Sequence, residues 1–262
     1  HQPIWWYTRE TFLYSMLNRA LRLMDVDIII QMGFFIRDLH KNIADLHSRQ
    51  FRRQTSSNMF TVYRGQNLSQ TDFNQLKQNQ GGLLAFNNFL STSKNRETSL
   101  DFIRRNPGKG DLVSVLFVMR IDPSIQNAPF ANVDKISAIP TEEEILFSMH
   151  SVFRIGQIKQ LPGSISIREV ELALTRDNDP ELRELTERIQ KEISSSYTGW
   201  YRLGRLLIKL AKFKKAEELY RILLEQTSDQ NEKALIFHQF GAINRSQGKY
   251  NEALEYFEKS LE

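Results

Sequence analysis

The residues best suited to do chemistry in this chain are three consecutive carboxylates in the stretch IPTEEEILF, residues 139–147. Two interpretations are open. If a helix begins here, Thr141 and Glu144 have the spacing of a capping box, and acidic residues would favour the positive end of the helix dipole. If the stretch is a strand, Glu142 and Glu144 face one side and Glu143 the other, because strand side chains alternate. In the second case two carboxylates would share one site.

Two other stretches carry polar groups at places where strands are expected. VYRGQ ends a strand with Arg64 followed by Gly65, and a guanidinium presented beside a close backbone turn could bind phosphate in a bidentate fashion. GGLLAFNNFLSTSKN places Ser91, Thr92 and Ser93 at the end of a strand, with Ser91 and Ser93 on one face. Taken singly, each motif is better explained by structure, Arg64 by an ion pair on the surface and Ser91-Thr92-Ser93 by a Ser/Thr-rich turn.

The composition excludes several kinds of catalytic or structural site. The chain has no cysteine, which removes disulfides, thiolate catalysis and Cys-zinc sites and suits a reducing compartment. The 5 histidines include no HExxH-like pair, so no metal site is predicted.

The charge and hydropathy of the chain argue against two classes of partner, nucleic acids and membranes. The 35 Lys and Arg residues outnumber the 31 Asp and Glu residues only slightly, and the basic clusters RQFRR and KLAKFKK are interpreted as solvated helix faces, so no nucleic-acid partner is predicted. The apolar run at 27–36 is too short to span a membrane, and the start HQPIWWYTRE has no secretory pattern. A cytoplasmic location without membrane association is therefore predicted.

The elements that must position the polar motifs fall into two classes along the chain. Apolar residues recur at helical spacing from Trp5 to about Gln50. Short β-rich runs then follow, separated by Gly, Pro, Asn and Asp turns. These runs are MFTVYRG, LLAFNNFLSTS, LVSVLFVMRI, AIPTEEEILF, SVFRIGQIKQ and ISIREVELAL. Helices followed by strands predict an α+β domain with a mixed β-sheet, assigned to residues 1–176.

The last third of the chain is predicted to be all-α and internally repeated. A helix start with Asp179 as N-cap and Pro180 at the first position opens a linker helix, assigned to 177–196. In 197–262, two units match in order at an offset of 37 residues. The matched pairs are Trp200/Phe237, Leu203/Phe240, Gly204/Gly241, Ala216/Ala253 and Tyr220/Phe257. This pattern, with GKYNEALEYFEKSLE, resembles the tetratricopeptide repeat. Because the chain stops within the second unit, a longer array is expected.

Taken in chain order, a strand Arg, a strand Ser-Thr-Ser and a Glu-x-Glu within one mixed sheet resemble the arginine-specific mono-ADP-ribosyltransferases. The stretch at 81–102 is similar to that family's second motif and following loop. The stretch at 134–147 resembles its substrate-recognition loop leading into the catalytic strand, and the helical start at 7–22 is also similar. The resemblance covers about residues 5–174. It implies an ADP-ribosyltransferase-like sheet domain with helices at its N-terminus.

The resemblance also implies roles for individual residues. In this family ADP-ribose passes from NAD to a protein guanidinium with release of nicotinamide, so a fixed anion beside the developing ribose cation lowers the barrier. Glu144 would be that anion, oriented by Ser91. Glu142 would hold the acceptor guanidinium and take its proton, because a guanidinium with a pKa above about 12 is a poor nucleophile while protonated. The implied catalytic set is Arg64, Ser91, Glu142 and Glu144, and the cofactor-binding set is Arg64, Gly65, Ser91, Thr92, Phe102 and Glu144.

Two members of the cofactor-binding set have a structural interpretation that the sequence itself favours: Gly65 is expected to serve a turn, and Phe102, which could stack on nicotinamide, is expected to be a core residue because of its helical context SLDFIRR. As a whole, the resemblance predicts an NAD(P)-dependent protein-arginine ADP-ribosyltransferase that uses NAD as co-substrate and no metal. The choice between NAD and NADP is open. Its partners would be a target protein with an acceptor arginine and a protein that docks on the repeats. The alternative is an interaction scaffold whose front domain is inactive or only hydrolyses NAD.

Overall fold

The computed structural model describes residues 2–9, 11–51, 59–106, 110–125, 128–138, 143–164, 166–176, 179–192 and 199–261. The chain forms two compact units. The first, called here the sheet unit, consists of His1–Arg22 and Met32–Leu182. The second, called the repeat unit, consists of Leu23–Gln31 and Arg183–Glu262. A short segment near the N-terminus therefore belongs with the C-terminal part of the chain.

The sheet unit begins with helices, as the apolar spacing predicts. They are α1 (Pro3–Thr8), α2 (Phe12–Leu23) and, after α3 (Val26–Gln31) of the repeat unit, α4 (Gly33–Phe51). Helix α2 buries Leu17, Ala20 and Leu21, the i, i+3, i+4 pattern of an amphipathic helix. Helix α4 likewise buries a single stripe, which ends at His47.

The β-rich runs form one mixed sheet of 8 strands in the described part of the chain. The strands are β1 (Phe60–Ser69), β2 (Leu83–Phe86), β3 (Leu90–Ser93), β4 (Leu112–Ile121), β5 (Phe130–Asn132), β6 (Glu144–Phe147), β7 (Ser151–Gln160) and β8 (Ile167–Leu174). Their order in the sheet is β2-β7-β8-β4-β1-β3-β6-β5. Of the described pairs, β4 and β8 are parallel and the others are antiparallel. The predicted α+β class with a mixed sheet is confirmed.

The centre of the sheet is apolar on both faces. Val115, Leu116 and Phe117 are consecutive and all buried on β4, as expected of a strand that is covered from both sides. Two further helices lie in this unit, α5 (Gln70–Gln78) and α6 (Arg96–Arg105). Leu100 and Ile103 of α6 share a core cluster with Leu116. Helix α6 is therefore fixed against one face of the sheet, close to β1.

The three consecutive carboxylates do not begin a helix. Glu144 is the first residue of strand β6, so the capping-box interpretation is wrong, and Thr141 lies outside the described residues. Glu143 precedes the strand and has a left-handed φ of 45°, which is uncommon for a residue with a side chain. The regular alternation predicted across 142–144 therefore does not apply at Glu143.

The repeat unit contains helix pairs. Its elements are α3 (Val26–Gln31), α7 (Pro180–Glu192, of which residues 180–182 belong to the sheet unit), α8 (Gly199–Lys209), α9 (Phe213–Gln226), α10 (Gln230–Ser246) and α11 (Tyr250–Lys259). A Cβ on Gly204 would lie 2.4 Å from Cζ of Tyr220, and one on Gly241 would lie 2.6 Å from Cδ1 of Phe257. Each matched glycine thus receives the matched aromatic ring of the next helix. This close packing is the physical reason for the 37-residue correspondence.

Helices that could cross a membrane are absent from the described ranges, since none is both long enough and apolar enough. The domain boundaries predicted from the sequence, at 1–176, 177–196 and 197–262, stay a prediction.

Candidate active site

Three neighbouring strands bring together the polar motifs. Arg64 lies on β1, Ser91 on β3 and Glu144 on β6, and these strands are adjacent in the sheet in that order. The residues are far apart in sequence, so only the strand pairing places them side by side. Arg64 lies within β1 rather than at its end, which differs from the sequence-based expectation.

Glu144 is the best-fixed carboxylate of the site. The hydroxyl of Ser91 donates to its Oε1 at 2.6 Å, across a diagonal of the ladder in which Ser93 is directly opposite Glu144. The backbone N–H of Glu144 donates to Oδ1 of Asp134 at 2.5 Å, and its carbonyl accepts from the N–H of Val133 at 3.0 Å. The residue is only 6% exposed. The carboxyl group is therefore held in one orientation with little access to bulk water.

Arg64 is held beside this pair by two contacts. Its Nη1 donates to the carbonyl oxygen of Ser91 at 2.7 Å, and its Nε donates to Oε1 of Gln66 at 3.2 Å. These contacts use two of the five guanidinium N–H groups. Within the described ranges Arg64 forms no salt bridge, so the interpretation as a surface ion pair is not supported.

Gly65 and Thr92 help to position the elements that carry the site. Gly65 is not in a turn: it lies inside β1, and a Cβ there would be 2.3 Å from the carbonyl oxygen of Ser99 on α6. The hydroxyl of Thr92 donates to the carbonyl of Ile145 at 2.8 Å, which fixes the pairing of β3 with β6. Gly65 therefore lets α6 approach the site, and Thr92 aligns the strands that carry Ser91 and Glu144.

Two cavities meet at Arg64. One has a volume of about 660 Å³ and is lined by Ser91, Phe102 and Arg105, among others. The other has a volume of about 310 Å³, and its lining includes Arg22 and Asn88. Arg64 lines both. Ser91 links the larger cavity to the buried carboxylate of Glu144.

Phe102 faces this site rather than the core. Its side chain is 51% exposed and lines the larger cavity, so the alternative of a core position is wrong. Arg105 follows three residues later on α6 and lines the same cavity. Arg105 was not among the residues predicted from the sequence, although its i, i+3 spacing from Phe102 on a helix is a usable signal.

Helix α2 forms another wall of the site, and none of its residues was predicted from the sequence to lie there. Tyr14 lines the larger cavity and Arg22 the smaller one, and Asn18 lies between them at i+4 spacing on the same helix face. Asn18 is 4% exposed, and its Oδ1 has no hydrogen-bond partner in the described structure. Polar residues on the buried face of an amphipathic helix were the available signal.

A buried tyrosine connects this helix to the strand that carries Ser91. Nδ2 of Asn18 donates to the hydroxyl of Tyr7 at 2.7 Å, and that hydroxyl donates to the carbonyl of Phe89 at 3.3 Å. Burial raises the pKa of Tyr7 well above its usual value, and the nearby Tyr14 and Glu144 raise this pKa further, against the opposing effects of Asn18 and Arg64. Tyr7 is therefore a neutral hydrogen-bonding group at physiological pH.

The second predicted carboxylate, Glu142, lies outside the described residues. Glu143 is exposed, and its carbonyl accepts from the N–H of Lys94 at 3.1 Å. Because β6 begins only at Glu144, strand alternation cannot be used to place the side chain of Glu142. Among the described side chains, no three His, Asp or Glu residues form a cluster suited to a metal ion.

Comparison with known proteins identifies both parts of the chain. The family model described as ADP-ribosyltransferase exoenzyme matches residues 3–170, and a tetratricopeptide repeat model matches residues 195–262. No curated protein matches the chain.

Several solved structures resemble the chain in fold. A structure of the ADP-ribosyltransferase Vis in complex with agmatine is 21% identical, with a TM-score of 0.51, and the match covers 68% of this chain and 74% of that chain; Vis is a toxin from Vibrio splendidus. The toxin Plx2a from Paenibacillus larvae is 21% identical over 66% of this chain and 84% of that chain, with a TM-score of 0.48. C3stau2 from S. aureus, solved with NAD, is 16% identical over 67% of this chain and 85% of that chain, with a TM-score of 0.46.

The match to the family model extends over most of the sheet unit and includes the strands that bear Arg64, Ser91 and Glu144. The chain belongs to the ADP-ribosyltransferase exoenzyme family of mono-ADP-ribosyltransferases and carries a tetratricopeptide repeat segment at residues 195–262.

Proposed function

We propose that the protein transfers ADP-ribose from NAD to arginine side chains of target proteins and releases nicotinamide. The observation that carries this proposal is the buried carboxylate of Glu144, held at 2.6 Å by Ser91 beside the Arg64 guanidinium. The catalytic set proposed is Arg64, Ser91, Glu142 and Glu144.

The charge distribution suits cleavage of the bond between nicotinamide and ribose. The ribose becomes cationic as this bond breaks, and nicotinamide takes the bonding electron pair. An anion that is already fixed in place stabilises the cation without reorganising in the transition state. Glu144 supplies this anion and also accepts from the ribose 2′-hydroxyl, and Ser91 keeps the carboxylate in position.

The two cavities suit the two ends of a dinucleotide. Their volumes, about 660 and 310 Å³, lie within the usual range for ligand pockets. Arg64 lies between them and binds the diphosphate, because a guanidinium fork matches phosphate oxygens. The nicotinamide end occupies the larger cavity, where the exposed ring of Phe102 offers a stacking surface, and the adenosine end occupies the smaller one. The backbone at Gly65 and Thr92 completes the proposed cofactor-binding set.

The acceptor chemistry depends on Glu142. A protonated guanidinium cannot attack the ribose, so a carboxylate must hold it and accept a proton. The target is a protein, and we propose that the repeats bind either that target or a protein partner that controls access to it.

The proposal is tested by incubating the protein with labelled NAD and polyarginine, with polylysine as the matched acceptor control. Label should pass to polyarginine and not to polylysine. Agmatine, a guanidinium compound and the ligand of the Vis structure, serves as a small acceptor, and a parallel assay with NADP measures dinucleotide preference. Consumption of NAD without transfer to polyarginine would instead support the NAD-hydrolysing alternative. If neither transfer nor NAD hydrolysis were detected, the interaction scaffold would be supported.

Glu142→Gln tests the arginine assignment separately. This variant should lose most transfer to polyarginine but keep most NAD hydrolysis, because the charge of Glu144 is retained. Glu143→Gln is the matched control, since Glu143 is an exposed neighbour, and it should retain both activities. Equal loss of both activities in Glu142→Gln would mean that Glu142 acts on the ribose or on the fold.

A further inference from the structure

Asp134 is a carboxylate outside the proposed catalytic set that contacts the backbone of Glu144. It lies two residues beyond Asn132, where β5 ends, and its Oδ1 accepts from the N–H of Glu144 at 2.5 Å. Asp134 is half-buried and Glu144 is buried. Because Glu144 is the first residue of β6, this hydrogen bond holds the point at which the strand begins.

The ladder between β5 and β6 continues for only half of its next residue pair. The two strands are antiparallel, with Asn132 opposite Ile145, so the following pair is Val133 and Glu144. In an antiparallel ladder the two residues of a hydrogen-bonded pair exchange both N–H groups. The N–H of Val133 does donate to the carbonyl of Glu144 at 3.0 Å.

The second bond of this pair is made by Asp134 instead. The carbonyl of Val133 accepts from the N–H groups of Ile136 and Ser137, at 2.9 and 2.7 Å, because the chain turns there. The N–H of the buried Glu144 would lose free energy without an acceptor. The side chain of Asp134 therefore supplies the acceptor that the backbone of β5 does not.

Asp134 is fixed from the side of helix α4. The side chain of Gln50, near the end of α4, pairs with both backbone groups of Asn132: its Nε2 donates to the carbonyl and its Oε1 accepts from the N–H, each at 2.8 Å. The N–H of Asp134 in turn donates to Oδ1 of Asn132 at 3.1 Å. A continuous series of hydrogen bonds thus leads from α4 to Glu144, which gives the support that a precisely oriented group requires.

The peptide group between Glu143 and Glu144 is held at both of its polar atoms. Its carbonyl oxygen accepts from the N–H of Lys94 at 3.1 Å, and its N–H donates to Asp134. Glu143 has a left-handed φ of 45°, a conformation that persists for a residue with a side chain only when surrounding contacts hold it. The plane of this peptide group determines the direction in which the Glu144 side chain leaves the backbone.

We propose that Asp134 is a positioning residue for Glu144. By holding the peptide group that begins β6, it directs the Glu144 carboxylate toward Ser91. Asp134 acts as a hydrogen-bond acceptor and not as a charge at the reacting atoms, since it contacts backbone and is absent from the described lining of both cavities that meet at Arg64. The effect on catalysis rests on the proposed function, because it requires Glu144 to act on the ribose.

The test compares three substitutions of Asp134 in the full chain. Asp134→Asn keeps an acceptor oxygen at the same position and removes the charge, Asp134→Glu keeps the charge and displaces the oxygen by one methylene group, and Asp134→Ala removes both. Lys135→Ala is the matched control, because Lys135 is an exposed neighbour. The release of nicotinamide from labelled NAD gives kcat and KM.

Asp134→Ala and Asp134→Glu should lower kcat about tenfold or more and leave KM for NAD within about twofold, because a misplaced catalytic group affects the transition state rather than cofactor binding. Asp134→Asn should keep kcat within about threefold of the parent value, since the acceptor is retained. Lys135→Ala should change neither constant. A loss in Asp134→Asn with parent-like kcat in Asp134→Glu would overturn the proposal, as would a raised KM with unchanged kcat in Asp134→Ala.

Dependence on Glu144 provides a further test. If Asp134 acts through Glu144, Asp134→Ala should lower the residual rate of Glu144→Gln by no more than about twofold, because the two changes are coupled. A full tenfold further loss would contradict the proposal. If Asp134→Ala does not fold, the comparison of Asp134→Asn with Asp134→Glu decides, since both keep a polar side chain.

A readout without NAD separates this proposal from the proposed function. Amide hydrogen exchange at Glu144, followed by NMR, should accelerate in Asp134→Glu and Asp134→Ala and stay slow in Asp134→Asn. Equal exchange in all three variants would refute the role of Asp134. If the parent protein does not cleave NAD, the proposed function fails, and exchange at Glu144 still decides whether Asp134 holds the start of β6.

Discussion

At the residue scale, Glu144 is held by hydrogen bonds to both its side chain and its backbone. Its carboxylate, backbone N–H and backbone carbonyl each have a partner, namely Ser91, Asp134 and Val133. Glu144→Gln keeps the size and the acceptor oxygen but removes the charge. Losing one preorganised electrostatic contact typically costs about a hundredfold to a thousandfold in rate. We expect losses of this size in both arginine transfer and NAD hydrolysis, measured with labelled NAD.

Thermal unfolding of Glu144→Gln should stay close to that of the parent protein, because the variant keeps the side-chain volume and can still accept from Ser91. NAD hydrolysis that survives in Glu144→Gln would show that another group stabilises the ribose cation.

Helix α6 is the element whose position depends most on a single residue. It carries Phe102 and Arg105 to the larger cavity, and it passes so close to β1 that a Cβ on Gly65 would lie 2.3 Å from the carbonyl of Ser99 and 2.8 Å from Cγ1 of Ile103. Backbone cannot yield as a flexible side chain does, so Gly65→Ala must displace α6. Overpacking of this kind costs about 1–3 kcal/mol. We expect that loss in the free energy of unfolding, together with weaker NAD binding.

The matched control for this element is Gly199→Ala, because no described residue lies within 4 Å of a Cβ at Gly199. Denaturant unfolding of both variants gives the comparison. If Gly65→Ala is as stable as Gly199→Ala, α6 does not depend on the absence of a side chain at position 65.

At the scale of the whole molecule, each unit has its own core. One cluster fills the sheet unit around Phe117 and Phe147, and another fills the repeat unit around Leu219 and Tyr220. Gly241→Ala should therefore destabilise the repeat unit alone. A cost of about 1 kcal/mol lowers the Tm of a domain of this size by roughly 4–8 °C. Differential scanning calorimetry should show one transition that moves and a second that does not.

Calorimetry of Gly199→Ala gives the reference, since a Cβ at this position would meet none of the residues that the structure describes. A single transition that shifts as a whole would show that the two cores unfold together, which would contradict the division into independent units.

The sequence alone determined the features that depend on local pattern. The spacing of apolar residues along the chain predicted N-terminal helices, a mixed sheet and a C-terminal helical segment, and all three are confirmed. The matched pairs Gly204/Gly241 and Tyr220/Phe257 predicted the repeats, because a glycine and a ring that pack together must recur at the same offset. The family resemblance was confirmed as mono-ADP-ribosyltransferase, and the arginine acceptor and the site roles stay predictions.

Only the tertiary structure decided the features that depend on contacts between distant segments. Ser91 and Glu144 are 53 residues apart, and strand pairing rather than composition joins them. The same is true of the roles of Gly65 and Phe102, which depend on where α6 lies, and of the α2 wall. Helix α3 shows the reason most clearly: its apolar residues predict burial, but not in which core. That choice depends on which complementary surface the rest of the chain leaves open, and local sequence does not encode it.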